Sequence, residues 1–298
     1  MEVARGYCRR LSVLIRREKY DLLWLEKEAL PWLPSWIEML LLGRRAPLLI
    51  DYDDAWFHRY DLHRLRVVRA SLGRKIDRLM ARADVVTVGN KYLAERARAA
   101  GARRIEMLPS VVDTARYRVA ERREADRLTI GWIGTPSTTP YLRLVASVLR
   151  EIVDRGGARV LAVGAGGVAA SALPIQTVKW TEDTEVASIQ QFDIGIMPVP
   201  DEPFERGKCG YKLIQYMACG KPVVASPVGA NREIVRHGVD GFLANSDAEW
   251  MDSLITLCRD RSLRERMGQA GRARAASLYS LEVAAPRLQS ILLSATER

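Results

Sequence analysis

Short apolar runs alternate with longer stretches of helical period along the chain. The runs predict strands at 21–25, 47–50, 84–88 and 104–108, and again at 128–133, 158–163, 175–178, 193–198 and 222–225. The stretches between and after them predict helices at 64–81, 91–100, 140–154, 183–191, 210–219, 246–258 and 262–276. Strands that alternate with helices indicate parallel sheets joined by right-handed crossovers, so the pattern predicts an α/β fold.

The series of strands is interrupted once, by the charged segment 116–127, which contains no predicted strand. A length of 298 residues fits two domains of about 150 residues each. We therefore predict two domains, 1–118 and 119–298, each built on its own parallel sheet. In open sheets of this kind, ligands bind beside the carboxyl ends of the strands.

Positive charge is concentrated in the first part of the chain. Up to Arg127 there are 27 Lys and Arg against 18 Asp and Glu, and beyond it 19 against 18. Such a surplus favours an anionic partner: an anionic membrane surface, a phosphorylated substrate or nucleic acid. Because no nucleic-acid-binding motif is apparent, we expect no nucleic-acid partner.

Other classes of protein fit the sequence less well. Four scattered cysteines without a CxxC pair, together with only three histidines, predict neither disulfides nor a metal site. The apolar stretch 36–42 is far shorter than the roughly 20 residues of a membrane-spanning helix. The N-terminus has no small-residue cleavage site, so it does not have the pattern of a secretion signal. We expect a cytoplasmic protein, bound peripherally to the inner face of the membrane.

The densest polar cluster, 51–60, directly follows a predicted strand. Its carboxylates repel one another unless a cation or ligand offsets the charge, which favours a catalytic role for Asp53 and Asp54. The alternative is that one of them caps a helix. His58 is a candidate general base or sugar ligand, or else an ordinary packed histidine.

Two further loops are candidates for binding an anion. The first contains Gly134, Thr135 and Ser137 between a predicted strand and helix, where backbone N–H groups point at an anion or the hydroxyls simply cap the helix. The second leads into the helix predicted at 210–219. Its candidate donor-binding residues are Gly207, Lys208, Gly210, Tyr211, Lys212 and Gln215. Two lysines beside glycines at the positive end of a helix predict a diphosphate site, although a solvated helix face would also explain the lysines.

The run LIQYMACGKPVVASPVGANREIVRHGVDGFLA at 213–244 resembles the signature of retaining GT-B glycosyltransferases of family 4. Segments 50–60, 83–93, 106–117 and 129–142 resemble the same family in the same order. The resemblance implies two Rossmann-like domains, a nucleotide-diphosphate sugar held mainly by the second, and an acceptor held mainly by the first. It also implies no cofactor and no metal at the chemical step.

The resemblance is incomplete at two places. The family has a pair of glutamates eight positions apart, for the donor sugar and the ribose, and these positions hold Gly207 and Gln215 here. Glu205 is therefore a substitute candidate for the catalytic carboxylate. The first domain looks truncated, which implies an apolar surface that a second copy of the chain, through 30–42, or a membrane would cover. The alternative is that a helix near 5–17 covers it within one chain.

We therefore expect transfer of a sugar to a lipid-linked or polysaccharide acceptor, with retention. Lys208, Lys212 and the glycine amides would stabilise the departing diphosphate, while Asp53, Asp54 and His58 would orient sugar or acceptor. The alternatives are a nucleotide-sugar epimerase and a non-catalytic binding or scaffold protein. Trp24, Trp32 and Trp36, near Arg44 and Arg45, predict a surface at an anionic membrane, unless these tryptophans fill the first core.

Overall fold

The computed structural model describes residues 2–16, 20–43, 46–120, 127–166, 170 and 173–297. Its strands are β1 (Leu23–Glu26), β2 (Leu48–Tyr52), β3 (Val85–Val88), β4 (Ile105–Met107), β5 (Leu128–Ile133), β6 (Ala158–Val163), β7 (Gln176–Val178), β8 (Ile194–Met197), β9 (Val223–Ala225) and β10 (Gly241–Leu243). Its α-helices are α1 (Glu2–Ile15), α2 (Ser35–Leu42), α3 (His58–Asp61), α4 (Arg66–Leu72), α5 (Lys75–Arg82), α6 (Lys91–Ala100), α7 (Ala146–Asp154), α8 (Glu185–Gln190), α9 (Pro203–Arg206), α10 (Tyr211–Ala218), α11 (Asn231–Ile234), α12 (Asp247–Arg259), α13 (Arg261–Leu278) and α14 (Leu281–Thr296). A 3₁₀ helix, Thr139–Val145, precedes α7.

The chain forms two compact units. Unit 1 consists of Met1–Pro109, Glu202–Cys209 and Ala285–Arg298, and unit 2 consists of Ser110–Asp201 and Gly210–Ala284. The predicted strands are present in both, which confirms the α/β class. None of the helices described is both long enough and apolar enough to cross a bilayer.

Unit 1 is built on a parallel sheet in the order β1-β2-β3-β4. β2 and β3 are mostly apolar, interrupted by Asp51 and Thr87, and almost every residue is buried, as expected where helices cover both faces of a sheet. α5 presents Ile76, Leu79 and Met80 to the core, and α6 begins at Asn90, whose side chain accepts a hydrogen bond from the Leu93 N–H. The carboxyl ends of β1, β2 and β3 therefore lie at one edge of the sheet.

Unit 2 has a parallel sheet in the order β10-β9-β8-β5-β6-β7. Within this sheet the chain runs from the central strand β5 through β6 to the edge strand β7. It then crosses to β8, which lies on the other side of β5. Two glycines make this centre possible, since a Cβ at Gly131 would overlap the Phe192 ring and one at Gly195 would overlap the Tyr216 ring. The order reverses between β5 and β8, and the loops at such a switch point form the ligand site of doubly wound folds.

The two units differ from the predicted domains 1–118 and 119–298. Residues 110–118 join unit 2 because Val112 pairs with Tyr279 and Leu281 through backbone hydrogen bonds, and because Tyr117 is buried in that core. The C-terminal segment belongs to unit 1, where Ile291 packs in a cluster with Leu49 of β2. Segment 116–127, the predicted boundary, lies partly outside the described residues.

Several predicted elements have different limits. The helix predicted at 64–81 is two helices, α4 and α5, which meet near Gly73, where a Cβ would overlap the Arg69 carbonyl. The helix predicted at 140–154 begins as a 3₁₀ helix. β10 did not appear in the predicted series.

Three tryptophans of unit 1 are exposed and do not belong to its core. Trp24, Trp32 and Trp36 are 51%, 45% and 61% exposed, so the alternative that they fill the core is wrong. Arg44 and Arg45, the predicted basic partners, lie outside the described residues. α1 packs on the core of unit 1 through Leu14, as the single-chain alternative for the truncated domain expects, although Arg17 is also outside the described residues.

Candidate functional site

Asp53 and Asp54 lie at the carboxyl end of β2 in unit 1, beside two lysines. Lys27 follows β1, and its Nζ is 3.0 Å from Oδ1 of Asp53. The Nζ of Lys208 is 3.8 Å from Oδ1 of Asp54. Burial raises the pKa of the Asp54 carboxyl, and the Lys208 ammonium acts in the opposite direction. Glu205, on α9, is near enough for its charge to raise the same pKa. Unit 1 thus brings the three predicted carboxylates together with two cations.

Segment 202–209 is attached to this edge of the sheet by several contacts. The Asn90 side-chain amide donates to the Gly207 carbonyl at 2.7 Å, and the Cys209 thiol donates to the Asp53 carbonyl at 2.9 Å. A Cβ at Gly207 would overlap Ala55, so this glycine is needed for a close approach of two backbones. Its N–H donates to the Phe204 carbonyl. The Gly207 amide therefore does not present the free donor that we predicted for the diphosphate.

Both ring nitrogens of His58 have partners within unit 1. Its Nδ1 is 2.8 Å from Oδ1 of Asp61, and its Nε2 is 2.7 Å from the Tyr92 hydroxyl. Asp61 in turn pairs with Arg96 on α6. These contacts join α3 to α6, and a catalytic role for His58 remains a prediction.

The loop after β5 lies at the switch point of unit 2. A Cβ at Gly134 would overlap the Trp132 ring, so the glycine lets the chain turn there. The Thr135 and Ser137 hydroxyls are 2.8 Å apart, and both residues are exposed. The Gly134 N–H donates to the Val163 carbonyl and the Thr135 N–H to the Thr138 hydroxyl, so these backbone donors are not free for an anion, contrary to our prediction. The loop exposes hydroxyl groups at the site where doubly wound folds bind ligands.

The start of α10 faces the same part of unit 2. Gly210 has a φ of 66°, a left-handed conformation that side chains rarely adopt, and the helix begins at Tyr211. The Lys212 Nζ is 5.1 Å from the ring centroid of Trp132, the residue against which Gly134 turns. A cation, a helix N-terminus and the loop after β5 therefore adjoin one another.

The predicted donor site is divided by this arrangement. Gly207 and Lys208 belong to unit 1, whereas Gly210, Tyr211, Lys212 and Gln215 belong to unit 2.

Gln215, the candidate for the ribose, is only 3% exposed and lies in a buried network. Its Nε2 donates to the Tyr117 hydroxyl at 2.9 Å, and that hydroxyl donates to the Glu185 carboxylate. The Trp180 indole N–H donates to the second oxygen of Glu185 at 2.7 Å. The side-chain N–H of Gln215 that we expected to contact a ligand is thus engaged inside unit 2.

Sequence reasoning missed a second buried network, in unit 1. The Lys75 ammonium is 2.5 Å from Oε2 of Glu28 and 3.0 Å from Oε2 of Glu38. It also donates to the Leu30 carbonyl at 2.5 Å. No motif links residues so far apart in sequence. Lys27, in contrast, directly follows β1. Asp53 was selected because it follows a strand, and the same criterion would have selected Lys27.

The fold is that of GT-B glycosyltransferases, with two Rossmann-like α/β units, as the resemblance implied. HepE from Anabaena, solved with UDP and glucose, superimposes with a TM-score of 0.75 at 17% identity, over 96% of this chain and 81% of that one. Sucrose-phosphate synthase from Thermosynechococcus elongatus gives a TM-score of 0.73 at 17% identity, covering 95% and 75%.

Sequence comparison confirms the resemblance to glycosyltransferases. Residues 127–260 match the family described as glycosyl transferases group 1. A GDP-mannose-dependent monoacylated alpha-(1-6)-phosphatidylinositol monomannoside mannosyltransferase from Corynebacterium glutamicum is 28% identical over 71% of this chain and 62% of its own length. The phosphatidyl-myo-inositol mannosyltransferase of Mycobacterium leprae is 33% identical over 47% and 36%. The matched region spans less than two thirds of either relative.

Proposed function

We propose that this chain is a glycosyltransferase that moves a sugar from a nucleotide-diphosphate donor to a lipid-linked or polysaccharide acceptor, with retention. The observation that carries the proposal is the switch point of unit 2, where Lys212 and the start of α10 adjoin the loop after β5. The names of the relatives support transfer of a sugar and do not favour an epimerase or a non-catalytic scaffold.

The chemistry of the switch point fits a diphosphate leaving group. Breaking the bond to the sugar develops negative charge on the outer phosphate, and positive groups fixed before the reaction stabilise that charge most in the transition state. In unit 2 these groups are the Lys212 ammonium and the N–H groups at the start of α10. Since the Gly207 N–H donates to the Phe204 carbonyl and Lys208 pairs with Asp54, the proposed donor contacts are those of unit 2. Independence of a metal remains a prediction.

The carboxylate cluster of unit 1 is the candidate for orienting the acceptor. Asp53 and Asp54 each lie beside a lysine, and these ion pairs hold the carboxylates at the carboxyl ends of the strands. The names of the relatives support an acceptor that contains inositol and phosphate, and a mannosyl donor carried on GDP. We therefore infer a phosphoinositol-type acceptor.

An exposed apolar and basic segment in unit 1 supports contact with an anionic membrane. Leu62, Leu65 and Val67 are 56%, 50% and 69% exposed, and exposed arginines at 64, 66 and 69 lie among them. Apolar side chains between cations are typical of surfaces that bind anionic lipid. Sequence reasoning predicted this surface at Trp24, Trp32 and Trp36, which are also exposed, and did not consider 62–69.

Thermal denaturation with nucleotide sugars tests the donor site. GDP-mannose or UDP-glucose should raise the melting temperature, because a ligand that binds only the folded state stabilises it. Lys212→Met should weaken binding by about 1.5–3 kcal/mol, as expected for loss of a charge-assisted hydrogen bond. Lys179→Met, at an exposed position after β7, is the matched control. If no nucleotide sugar binds, or if both variants bind as the wild type does, the proposed donor site is wrong.

Vesicle flotation tests the membrane surface. Binding should increase with the fraction of phosphatidylglycerol and fall with salt, and L65D/V67D should abolish it. Leu293→Asp, on an equally exposed apolar residue of α14, should leave it unchanged. Light scattering on the same proteins measures self-association. A dimer that L65D/V67D dissociates, with no lipid dependence, would assign the segment to a second copy and refute the membrane proposal.

A further inference from the structure

The Arg59 side chain lies between two tryptophan rings of unit 1 and has no part in the proposed chemistry. Its guanidinium carbon is 4.3 Å from the ring centroid of Trp56 and 5.6 Å from that of Trp32. Arg59 is exposed, and within the described part of the chain its side chain pairs with no carboxylate. An arginine that stacks on aromatic rings keeps its N–H groups available for other acceptors. We call Arg59, Trp32 and Trp56 the Arg59 site.

Hydrogen bonds and ring packing position both tryptophans of the Arg59 site. The Trp56 indole N–H donates to Oε1 of Glu28 at 2.6 Å, and the Tyr60 hydroxyl donates to the same oxygen at 2.7 Å. The Trp32 backbone N–H donates to the Tyr60 hydroxyl at 3.1 Å, and the Trp32 and Tyr60 rings pack edge to face. Arg59 is thus held by groups that are themselves positioned, which lowers the entropy lost when a ligand binds.

The loop that carries Trp32 is held in an unusual conformation. Lys27 and Trp32, near the two ends of the loop between β1 and α2, both have a φ of 63°. Residues other than glycine rarely adopt this left-handed conformation, and it persists only where the surroundings impose it. Such residues are concentrated at sites that bind ligands. Here the conformation places the Trp32 ring, nearly half exposed, beside Arg59.

Arg59 offers an anion a cation that pairs with no carboxylate of the described residues, whereas the neighbouring Lys27 already pairs with Glu26 and Asp53. The Lys27 ammonium is 5.2 Å from the ring centroid of Trp56, on the same aromatic group that Arg59 contacts. Residues 62–74 contain four arginines and no acidic residue. A planar guanidinium matches a phosphate group through two parallel hydrogen bonds, and an exposed indole offers an apolar surface to a hydroxylated ring.

We propose that Arg59 binds the phosphate of a phosphate-bearing polyol, and that the exposed face of Trp32 packs against the ring carrying it. The identification of this ligand as the glycosyl acceptor rests on the proposed function, whereas the binding itself does not. The same chemistry occurs in a soluble inositol phosphate and in the headgroup of a phosphoinositide lipid.

Calorimetry with the full chain tests the site, using myo-inositol 1-phosphate as the probe and myo-inositol as its uncharged counterpart. Arg59→Gln should weaken binding of the phosphate by about tenfold or more, the scale of one charge-assisted hydrogen bond. Arg98→Gln removes an exposed arginine of α6 that lies outside the site and should leave binding close to that of the wild type. Arg59→Lys keeps the charge but lacks the planar fork, so it should still bind less well than the wild type. This variant also serves if Arg59→Gln does not fold.

The source of the phosphate is distinguished by vesicles that contain phosphatidylinositol or phosphatidylglycerol at equal charge. A preference for phosphatidylinositol that Arg59→Gln removes would assign the site to a lipid headgroup. Tight binding of the soluble phosphate without that preference would assign it to a free substrate.

Three results would overturn the proposal: no binding of the phosphate at millimolar concentration, equal binding of myo-inositol, or equal losses in Arg59→Gln and Arg98→Gln. The last would mean that diffuse surface charge attracts the phosphate. Binding of GDP-mannose is measured on the same samples. If it persists while the phosphate fails to bind, only this inference is wrong; if it is absent while the phosphate binds, the glycosyltransferase proposal fails and the site remains.

Discussion

Replacing Lys75 with methionine should destabilise unit 1 more than almost any other single substitution. The Lys75 side chain is fully buried, and within the described residues it is the cation that pairs with Glu28 and Glu38, whose side chains are 2% and 0% exposed. Methionine fills a similar volume but leaves two carboxylates without a cation, and it also removes the hydrogen bond to the Leu30 carbonyl. Breaking a buried ion pair in this way costs about 3–5 kcal/mol.

The dependence on pH identifies the cause of that loss. In Lys75→Met the two uncompensated carboxylates should have folded-state pKa values above their unfolded ones, because burial penalises the charged form. Their contribution to stability is then present at low pH and is lost as the pH rises through the folded pKa. The destabilisation should accordingly be larger at pH 8 than at pH 5. The double variant K75M/E38L, which removes one of the two carboxylates, should recover part of the lost stability.

Hydrogen exchange measures this locally, which matters because a chain with two units does not unfold in one step. The Ala29 N–H donates to the Glu38 carboxylate and reports on the network. A loss of about 3 kcal/mol should accelerate its exchange about a hundredfold in Lys75→Met, with Lys179→Met as the control. A change of less than about tenfold at pH 8, or one that grows as the pH falls, would refute the electrostatic reasoning.

Three further substitutions have effects of predictable sign. Lys208→Met should raise the pKa of Asp54, because it removes the cation that favours the carboxylate; ¹³C NMR titration of Asp54 measures it, and a lowered value would contradict the geometry. Gly210→Ala should cost about 1–3 kcal/mol in thermal melts, since the backbone there is left-handed; an unchanged melting temperature would exclude that conformation. Gln215→Glu should lower the melting temperature more at pH 8 than at pH 5, because the new carboxylate joins the buried one that Tyr117 already contacts. A variant more stable than the wild type at pH 8 would rule out this network.

The framework of both sheets could be predicted because it depends on local pattern. β2 and β8 are short apolar runs that end in polar or turn residues, and helices on both faces of a parallel sheet require such runs. Limits of elements were less predictable. The break between α4 and α5 depends on Gly73 near the Arg69 carbonyl, a contact that the helical period does not reveal.

The domain limits depended on contacts between distant parts of the sequence. Val112 joins unit 2 through hydrogen bonds to residues that follow it by about 170 positions, and the C-terminal helix returns to Leu49. Neither pairing has a signal in composition or charge. The charged segment 116–127 looked like a linker because polarity is the only mark of a boundary that a single sequence offers.

The candidate site shows the same limit for individual side chains. Position after a strand correctly placed Asp53 and Asp54 at a sheet edge, because topology alone fixes that location. Residue type did not reveal which groups were free to act. His58 and Gln215 have the chemistry of a base and of a ribose ligand, but the partners that engage them, Tyr92 and Tyr117, lie 34 and 98 positions away.

Glycine was the least reliable guide to ligand contacts, and the structure explains why. Gly207 and Gly210 suggested amides exposed to a phosphate, yet Gly207 is required by the approach of Ala55 and Gly210 by a left-handed turn. Each requirement belongs to a different unit. A glycine beside a lysine therefore indicates a tight turn first, and the anion site must be argued from what lies next to that turn. For Lys212 that neighbour is the Trp132 ring and the loop after β5, and for Lys208 it is Asp54, so similar local sequences imply different chemistry.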